Sequence, residues 1–315
     1  MTKEIVQALK KTLEFLVCLA LLDLGLGTIL GRLFFAQTSG KFFRIGYTMD
    51  VSTDELMVFG SSHAAAHYVP AVLEEELGLT SYNAGIAGQQ ILVHETLARI
   101  VLERTAPKVM ILDLDTYGFY DDLNVYARLS DLHPFYARHP RIIGKALALE
   151  SPWARIFLTS RLYRYNSTVV HILRYGLSPQ PDEKGYRATF TRLTEPDRPE
   201  APPAPAPRAR RIDENLMTAL DRFVANARDH RVPLVLAISP NLVYDAHLDE
   251  VAVQRIRSIA SRYEIPLLDA MNDPAYIGRY DLFADAGHLN DVGARLYSRS
   301  VAQKIRAAFP AVFPR

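Results

Sequence analysis

Leu56-Met57-Val58-Phe59-Gly60-Ser61-Ser62-His63 is four apolar residues running into a glycine and two serines. The apolar run reads as a short buried strand, and the small residues end it in a sharp turn. Such a turn leaves a serine hydroxyl at the carboxyl edge of a sheet, where open α/β sheets bind their ligands. A serine there becomes a nucleophile only when a base takes its proton and an acid holds the base in place. Near the other end of the chain, Asp285-Ala286-Gly287-His288 offers an acid and a histidine that one turn can present together.

Around these two stretches, strands alternate with helical spacing. Ser81 to Gly88 reads as a second short strand entering a Gly-rich turn, Lys108 to Leu114 as a third, Val232 to Ile238 as a fourth and Ile265 to Leu268 as a fifth. Helices are expected over Val72 to Leu77, Ile91 to Arg104, Ile212 to His230 and Val251 to Tyr263. A closing helix is marked by the ladder Tyr297, Val301, Ile305 and Phe309. The alternation predicts one doubly wound α/β domain over residues 55–315, with a central parallel sheet and right-handed crossovers.

Two stretches break the rhythm. Residues 117–177 are crowded with aromatics and read as a helical insertion over the active face. Those aromatics suit a sugar or acyl site and equally a packed helical cap. Glu195 to Arg211 holds six prolines and reads as a flexible or polyproline-like surface segment.

The 315 residues leave room for a real core, and with 49% apolar residues the chain is not a disordered one. A net charge of +1 gives no case for nucleic acid. Cys18 is the only cysteine, so neither a disulfide framework nor a cysteine-built metal site is expected. After a short flank, residues 1–12, Leu13 to Phe35 is apolar apart from Glu14, Asp23 and Arg32 and long enough to cross a bilayer. It lacks a small-x-small cleavage site, so the expectation is a single uncleaved transmembrane anchor, with residues 36–54 a connector. Lys3, Lys10 and Lys11 before it and Arg32, Lys41 and Arg44 after it leave its orientation undecided by charge. Asp23 fits a partner helix or polar contact, an interfacial or protonated carboxyl, or a soluble amphipathic helix that never inserts.

Together the motifs resemble the SGNH (GDSL-like) hydrolase superfamily. Its strand followed by Gly-Asp/Ser-Ser matches Phe59-Gly60-Ser61-Ser62, and its Asn-x-Gly-x-x-Gly block matches Asn83 to Gly88. Its Asp-x-x-His block, just ahead of the final helix, matches Asp285 to His288. The resemblance implies a flavodoxin-like three-layer α/β/α fold without a cofactor. It also implies Ser62 as nucleophile, His288 as base, Asp285 as its orienting acid, and the Ser62 and Gly88 N–H groups as oxyanion donors. The Gly-Ser-Ser form behind an anchor looks like the membrane-tethered branch, which includes the teichoic acid D-alanyl-transfer protein and polysaccharide O-acetylating proteins. That implies a single-pass protein of the cytoplasmic membrane with its domain on the outer side. Its substrate would be an acylated envelope glycan or small acyl ester, and a membrane-bound O-acyltransferase a candidate partner.

One block departs from the family. Where Gly-x-Asn-Asp is usual after the third strand, Leu114-Asp115-Thr116-Tyr117 stands, so an oxyanion amide is missing or comes from elsewhere, Asn241 being a candidate. The alternative function is therefore an inactive SGNH-fold protein that binds glycan or scaffolds an acyltransferase. His63 and His67 lie four apart without a third metal ligand at a recognisable spacing, so no metal is expected. With Asn83 and Asn241 they are candidate substrate contacts. His94 and His171 read as packing residues on helices.

Overall fold

A computed structural model describes residues 2–122, 124–180, 182–194, 211–244 and 251–313. In chain order its helices and strands are α1 (Lys3–Phe35), α2 (Gly40–Asp50), β1 (Leu56–Phe59), α3 (Ser62–His67), α4 (Pro70–Leu77), β2 (Ser81–Asn83), α5 (Ile91–Arg104) and β3 (Val109–Asp113). Then follow α6 (Pro140–Glu150), α7 (Ala154–Phe157), α8 (Val169–Leu177), α9 (Glu214–Asp229), β4 (Leu234–Ile238), α10 (Val251–Arg262), β5 (Leu267–Asp269) and α11 (Asp291–Ala308). The chain divides into two compact units, Arg44–Val125 with Asp182–Arg315, and Met1–Phe43 with Tyr126–Pro181.

In the larger unit the strands pair in parallel in the order β2-β1-β3-β4-β5. That is the flavodoxin-like doubly wound order, whose carboxyl edge gathers the loops after each strand. Strands β1, β3 and β4 are buried along their whole length, so they read as continuous apolar runs. Alternation sorts their side chains by face. Leu56, Val58, Val109, Ile111, Val235 and Ala237 share a core with residues of α3, α4 and α11. Phe59 faces the other layer, where it meets Phe223 of α9 edge-on at 5.6 Å between ring centroids, and α9 packs along α5. Burying each such side chain contributes about 1.5–3 kcal/mol.

The expected strands and helices of this unit are present within a few residues, as helix and strand ends usually allow. Phe309 is a departure: α11 ends at Ala308, and Phe309 is its C-terminal cap. Residues 36–54 are another, since α2 occupies most of that connector and buries Phe42, Ile45 and Met49. Arg44, read as a charge flanking the anchor, is buried inside the larger unit. It donates to the carbonyls of Gly85 and Gly185 at 3.2 and 2.9 Å.

In the smaller unit α1 is one continuous helix of 33 residues, beginning ten residues before the expected anchor. Only Gly27 and Phe34 along it are buried. Phe34 sits among Phe42, Phe135 and Tyr165 at centroid distances of 5.3 to 5.5 Å. Phe135 and Tyr165 of the insertion thus join a packed cluster with the first two helices. Residues 195–210 of the Pro-rich segment lie outside the described residues.

Candidate active site

The turn after β1 is built by close approach. Gly60 has φ +143°, and a Cβ there would stand 2.6 Å from the Asp113 carbonyl oxygen and 2.9 Å from the Ala64 side chain. Its carbonyl accepts from the Ile86 N–H at 2.9 Å, which ties this turn to the one after β2. The chain then enters α3 directly, with Ser62 as its first residue, partly exposed.

The second block holds α3 in place. Asn83 donates through Nδ2 to the carbonyls of Ala64 and Tyr68 at 2.7 and 2.8 Å, and its Oδ1 accepts from the Gly85 N–H at 2.9 Å. Gly85 lies against the backbone of Ala64 and Ala65, where no side chain fits. Asn83 is fully buried, so it positions the helix carrying Ser62 and does not reach substrate as expected. Sequence alone could not separate those roles, because a buried bracket and a substrate amide use the same residue type.

His288 and Asp285 come together in one tight turn. The Phe283–Leu289 bridge closes it, and the Ala284 N–H donates to the His288 carbonyl at 2.8 Å. Asp285 Oδ1 accepts from the Gly287 and His288 backbone N–H groups, each at 2.9 Å. Its two oxygens also lie 2.9 and 3.0 Å from His288 Nδ1. A carboxylate only accepts, so Nδ1 carries the proton and the neutral ring offers Nε2 as a base. Partial burial works to raise the Asp285 pKa. The Gly287 N–H, the His288 ring and the His288 N–H outweigh it and hold the carboxyl below its ordinary value. His288 Nε2 is shielded and makes no hydrogen bond, so Ser62 Oγ and His288 are not bonded here. Such contacts are commonly long in unliganded sites and tighten around substrate. Asn290, one residue past this bridge, caps α11 by accepting from the Gly293 N–H at 3.1 Å, leaving His288 outside the cap.

His63 and His67 part company. Their rings stack with centroids 5.0 Å apart, and His63, half-buried beside Ser62, meets the His288 ring edge-on at 5.4 Å. His67 is fully buried and accepts the Leu289 N–H on Nε2 at 3.1 Å. Burial, then the nearby His63 and His288 rings, keep its pKa well below the ordinary imidazole value. A neutral His67 therefore joins α3 to the histidine turn. That corrects its expected role as a substrate contact, while His63 remains at the site.

Under the Gly60 turn sits a group to which the sequence alone assigns no role. Asp113 ends β3, is buried, and accepts on Oδ2 from Tyr68 at 2.7 Å and Ser239 at 2.5 Å. Burial raises its pKa, opposed by the neighbouring His63 and those two hydroxyls. Its signal was the charged residue inside an apolar strand, Val-Met-Ile-Leu-Asp.

In place of the third-block amide, Asp115 accepts from the Tyr117 N–H at 3.0 Å and caps a short 3₁₀ turn. Beside Ser61 a narrow recess is lined by Gln89, Gln90, His94, Asp113 and Asp115 among others. Gln89 and Gln90 directly follow Gly88, which turns at φ +77°. Asn241 follows β4 and is not among the recess residues. His94, a packing residue as expected, is fully buried, and burial pushes its pKa down to about 4.

Comparison with protein-family models found no match, and comparison with curated proteins found none either. Among solved structures the chain is similar to the acetyl xylan esterase AlAXEase at 15% identity and TM-score 0.39, over 80% of this chain and 98% of that one. It is similar to a chain assigned to the G-D-S-L lipolytic family from Desulfitobacterium hafniense at 12% identity and TM-score 0.38, over 79% and 97%. It is also similar to the acetyl xylan esterase Est2A of the rumen bacterium Butyrivibrio proteoclasticus at 8% and 0.37, over 82% and 65%. The sheet order and the three motifs, not these distant likenesses, carry the reading below.

Proposed function

We propose that this chain is a membrane-anchored serine esterase or O-acyltransferase of the SGNH type, acting on an acylated envelope glycan. The observation that carries the reading is His288, whose Nδ1–H is held by Asp285 while its shielded Nε2 has no partner. Ser62 Oγ attacks the acyl carbonyl as His288 Nε2 takes its proton, and the negative charge forms on the carbonyl oxygen. The N–H groups of Ser62 and Gly88 are placed by the family pattern to receive that charge. Collapse expels the glycan or alcohol oxygen, which takes the proton from His288, and leaves an ester on Ser62. Water or a second hydroxyl, deprotonated by His288, then attacks the ester carbonyl, and the bond to Ser62 Oγ breaks as His288 returns the proton to that oxygen. Water gives an esterase and a glycan hydroxyl gives a transferase. His63, half-buried beside the nucleophile, contacts the leaving or incoming hydroxyl.

A helix long and apolar enough to cross a membrane supports the anchor. In this reading the larger unit works outside the cytoplasmic membrane, where a membrane-bound O-acyltransferase would supply or receive the acyl group. One observation favours the second reading, a non-catalytic glycan-binding or scaffold protein: Asp115 stands where the family has an oxyanion amide. Hydrolysis of a small acetyl ester by the detergent-solubilised chain separates the two. The first reading expects turnover lost in Ser62→Ala and in His288→Ala, and turnover unchanged in Ser62→Ala would overturn it.

A further inference from the structure

Asp23 meets its partners inside its own unit. Its Oδ1 accepts from Ser160 Oγ at 2.5 Å and the Leu162 N–H at 2.9 Å, and its Oδ2 accepts from the Arg161 N–H at 2.9 Å. One turn further along α1, Gly27 lies against Arg161 and Leu162 with no space for a Cβ, and Thr28 Oγ1 accepts from the Arg161 guanidinium at 2.9 Å. Gly31 lies against the Tyr165 hydroxyl. Asp23, Gly27, Thr28 and Gly31 thus form one stripe of α1 already occupied by the chain's own 160–165 segment. A partner helix is not what Asp23 waits for.

The depth of that contact is informative, given the anchor reading on which this inference rests. If Lys10 and Lys11 mark one edge of the hydrocarbon, Asp23 lies about 18 Å further along a helix rising 1.5 Å per residue. A hydrocarbon core is about 30 Å thick, so Asp23 falls within it. A lone carboxylate there is costly, and irregular backbone is tolerated only where its polar groups are satisfied. The N–H groups of the segment that reaches Asp23 meet that condition. The N–H groups of Ile156, Phe157, Leu158, Thr159 and Ser160 all bond within residues 153–157, and Tyr163 N–H bonds Ser160 Oγ.

Its outward side chains are those that suit lipid. Trp153, Ile156 and Phe157 are 61%, 57% and 46% exposed, although they lie only three to seven residues before the Asp23 contact. Thr159 and Leu162 line an open groove against Leu19 and Ala20 of the apolar helix. Arg155, Arg161 and Arg164 lie among them, and each donates to a protein acceptor: the Gly144 carbonyl at 3.5 Å, Thr28 Oγ1 at 2.9 Å and the Leu158 carbonyl at 2.8 Å. We infer that residues 153–162 enter the outer leaflet alongside α1, so that the chain holds the bilayer through a helix and an inserted turn. The occupant of this apolar surface is lipid.

Trp153 is the only tryptophan, so the unmodified full chain in vesicles reports on this segment alone. Phosphatidylglycerol-containing vesicles with brominated acyl chains provide the probe, with acrylamide as the aqueous quencher and an alkaline carbonate wash as the test of anchoring. The inference expects blue-shifted emission, lost with brominated lipid and protected from acrylamide. Emission quenched by acrylamide and indifferent to bromine, in a chain that resists the wash, would overturn the inserted turn and leave the anchor standing. A chain that carbonate removes would overturn both.

Discussion

Two aspartates, one in each unit, organise a turn in the same way to different ends. Asp285 accepts two backbone N–H groups and uses its remaining capacity to hold an imidazole. Asp23 also accepts two backbone N–H groups, and its third donor is the Ser160 hydroxyl. The donors of Asp285 lie two and three residues away, whereas those of Asp23 lie 137 to 139 residues away. A carboxylate that closes a local turn is thus free to orient a reacting group. One that closes a long-range contact is spent on joining two parts of its unit.

The largest difference should appear in rate. Asp285→Asn keeps much of the turn's geometry but loses the charge and can favour the wrong imidazole tautomer. Ester turnover should fall roughly 10²–10⁴-fold while the melting temperature changes little. Asp23→Asn should leave turnover of a small soluble ester within about two-fold, because it touches no reacting group. A comparable rate loss in both variants would break the distinction between the two turns.

A pH series sharpens it further. His67 and His94 are buried with lowered pKa values, so the unfolded chain binds their protons more readily. The stability they contribute is complete above an unfolded value of about 6.5 and is lost as pH falls through their folded values. For His94, with a folded value of about 4, the loss is on the order of 3 kcal/mol. Denaturant unfolding of His94→Leu should therefore depend less on pH between about 6.5 and 4 than that of the native chain. Equal slopes would remove His94 from the account. Asp285, with its lowered value, acts in the same sense over a more acidic range: its stabilisation holds above the ordinary carboxylate value and is lost as pH falls through its folded value.

The smallest effect belongs to the Asp23 contact itself. Asp23→Leu leaves the Ser160 hydroxyl and two N–H groups without their acceptor, costing about 1–3 kcal/mol. Hydrogen exchange at Arg161 and Leu162 in vesicles should accelerate, and unchanged exchange would argue that the contact is not formed in lipid.

The sheet and the Asp285–His288 pairing were legible because their signals are local. Buried parallel strands write themselves as apolar runs, and a Gly-Ser-Ser turn or an Asp-x-x-His turn declares its chemistry within four residues. What the sequence hid depends on distance. Asn83 and His67 looked like ligands because their bonds to Ala64, Tyr68 and Leu289 are set by the packing of α3. Arg44 looked like a flanking charge because its carbonyl partners, Gly85 and Gly185, lie 41 and 141 residues away. For the same reason the sequence leaves Asp23 open among a partner helix or polar contact, an interfacial or protonated carboxyl and a soluble helix. Its partners prove to lie 137 to 139 residues away. Asp113 was visible as a charge in an apolar strand, but only the fold brings Tyr68 and Ser239 to it.

The central claim is that Ser62 is the nucleophile and His288 its base. Labelling the full chain with a fluorophosphonate and mapping the adduct by peptide mass spectrometry tests it most directly. The account predicts one adduct, on Ser62, absent in Ser62→Ala and nearly absent in His288→Ala. An adduct on another residue, or labelling that persists in Ser62→Ala, would contradict it.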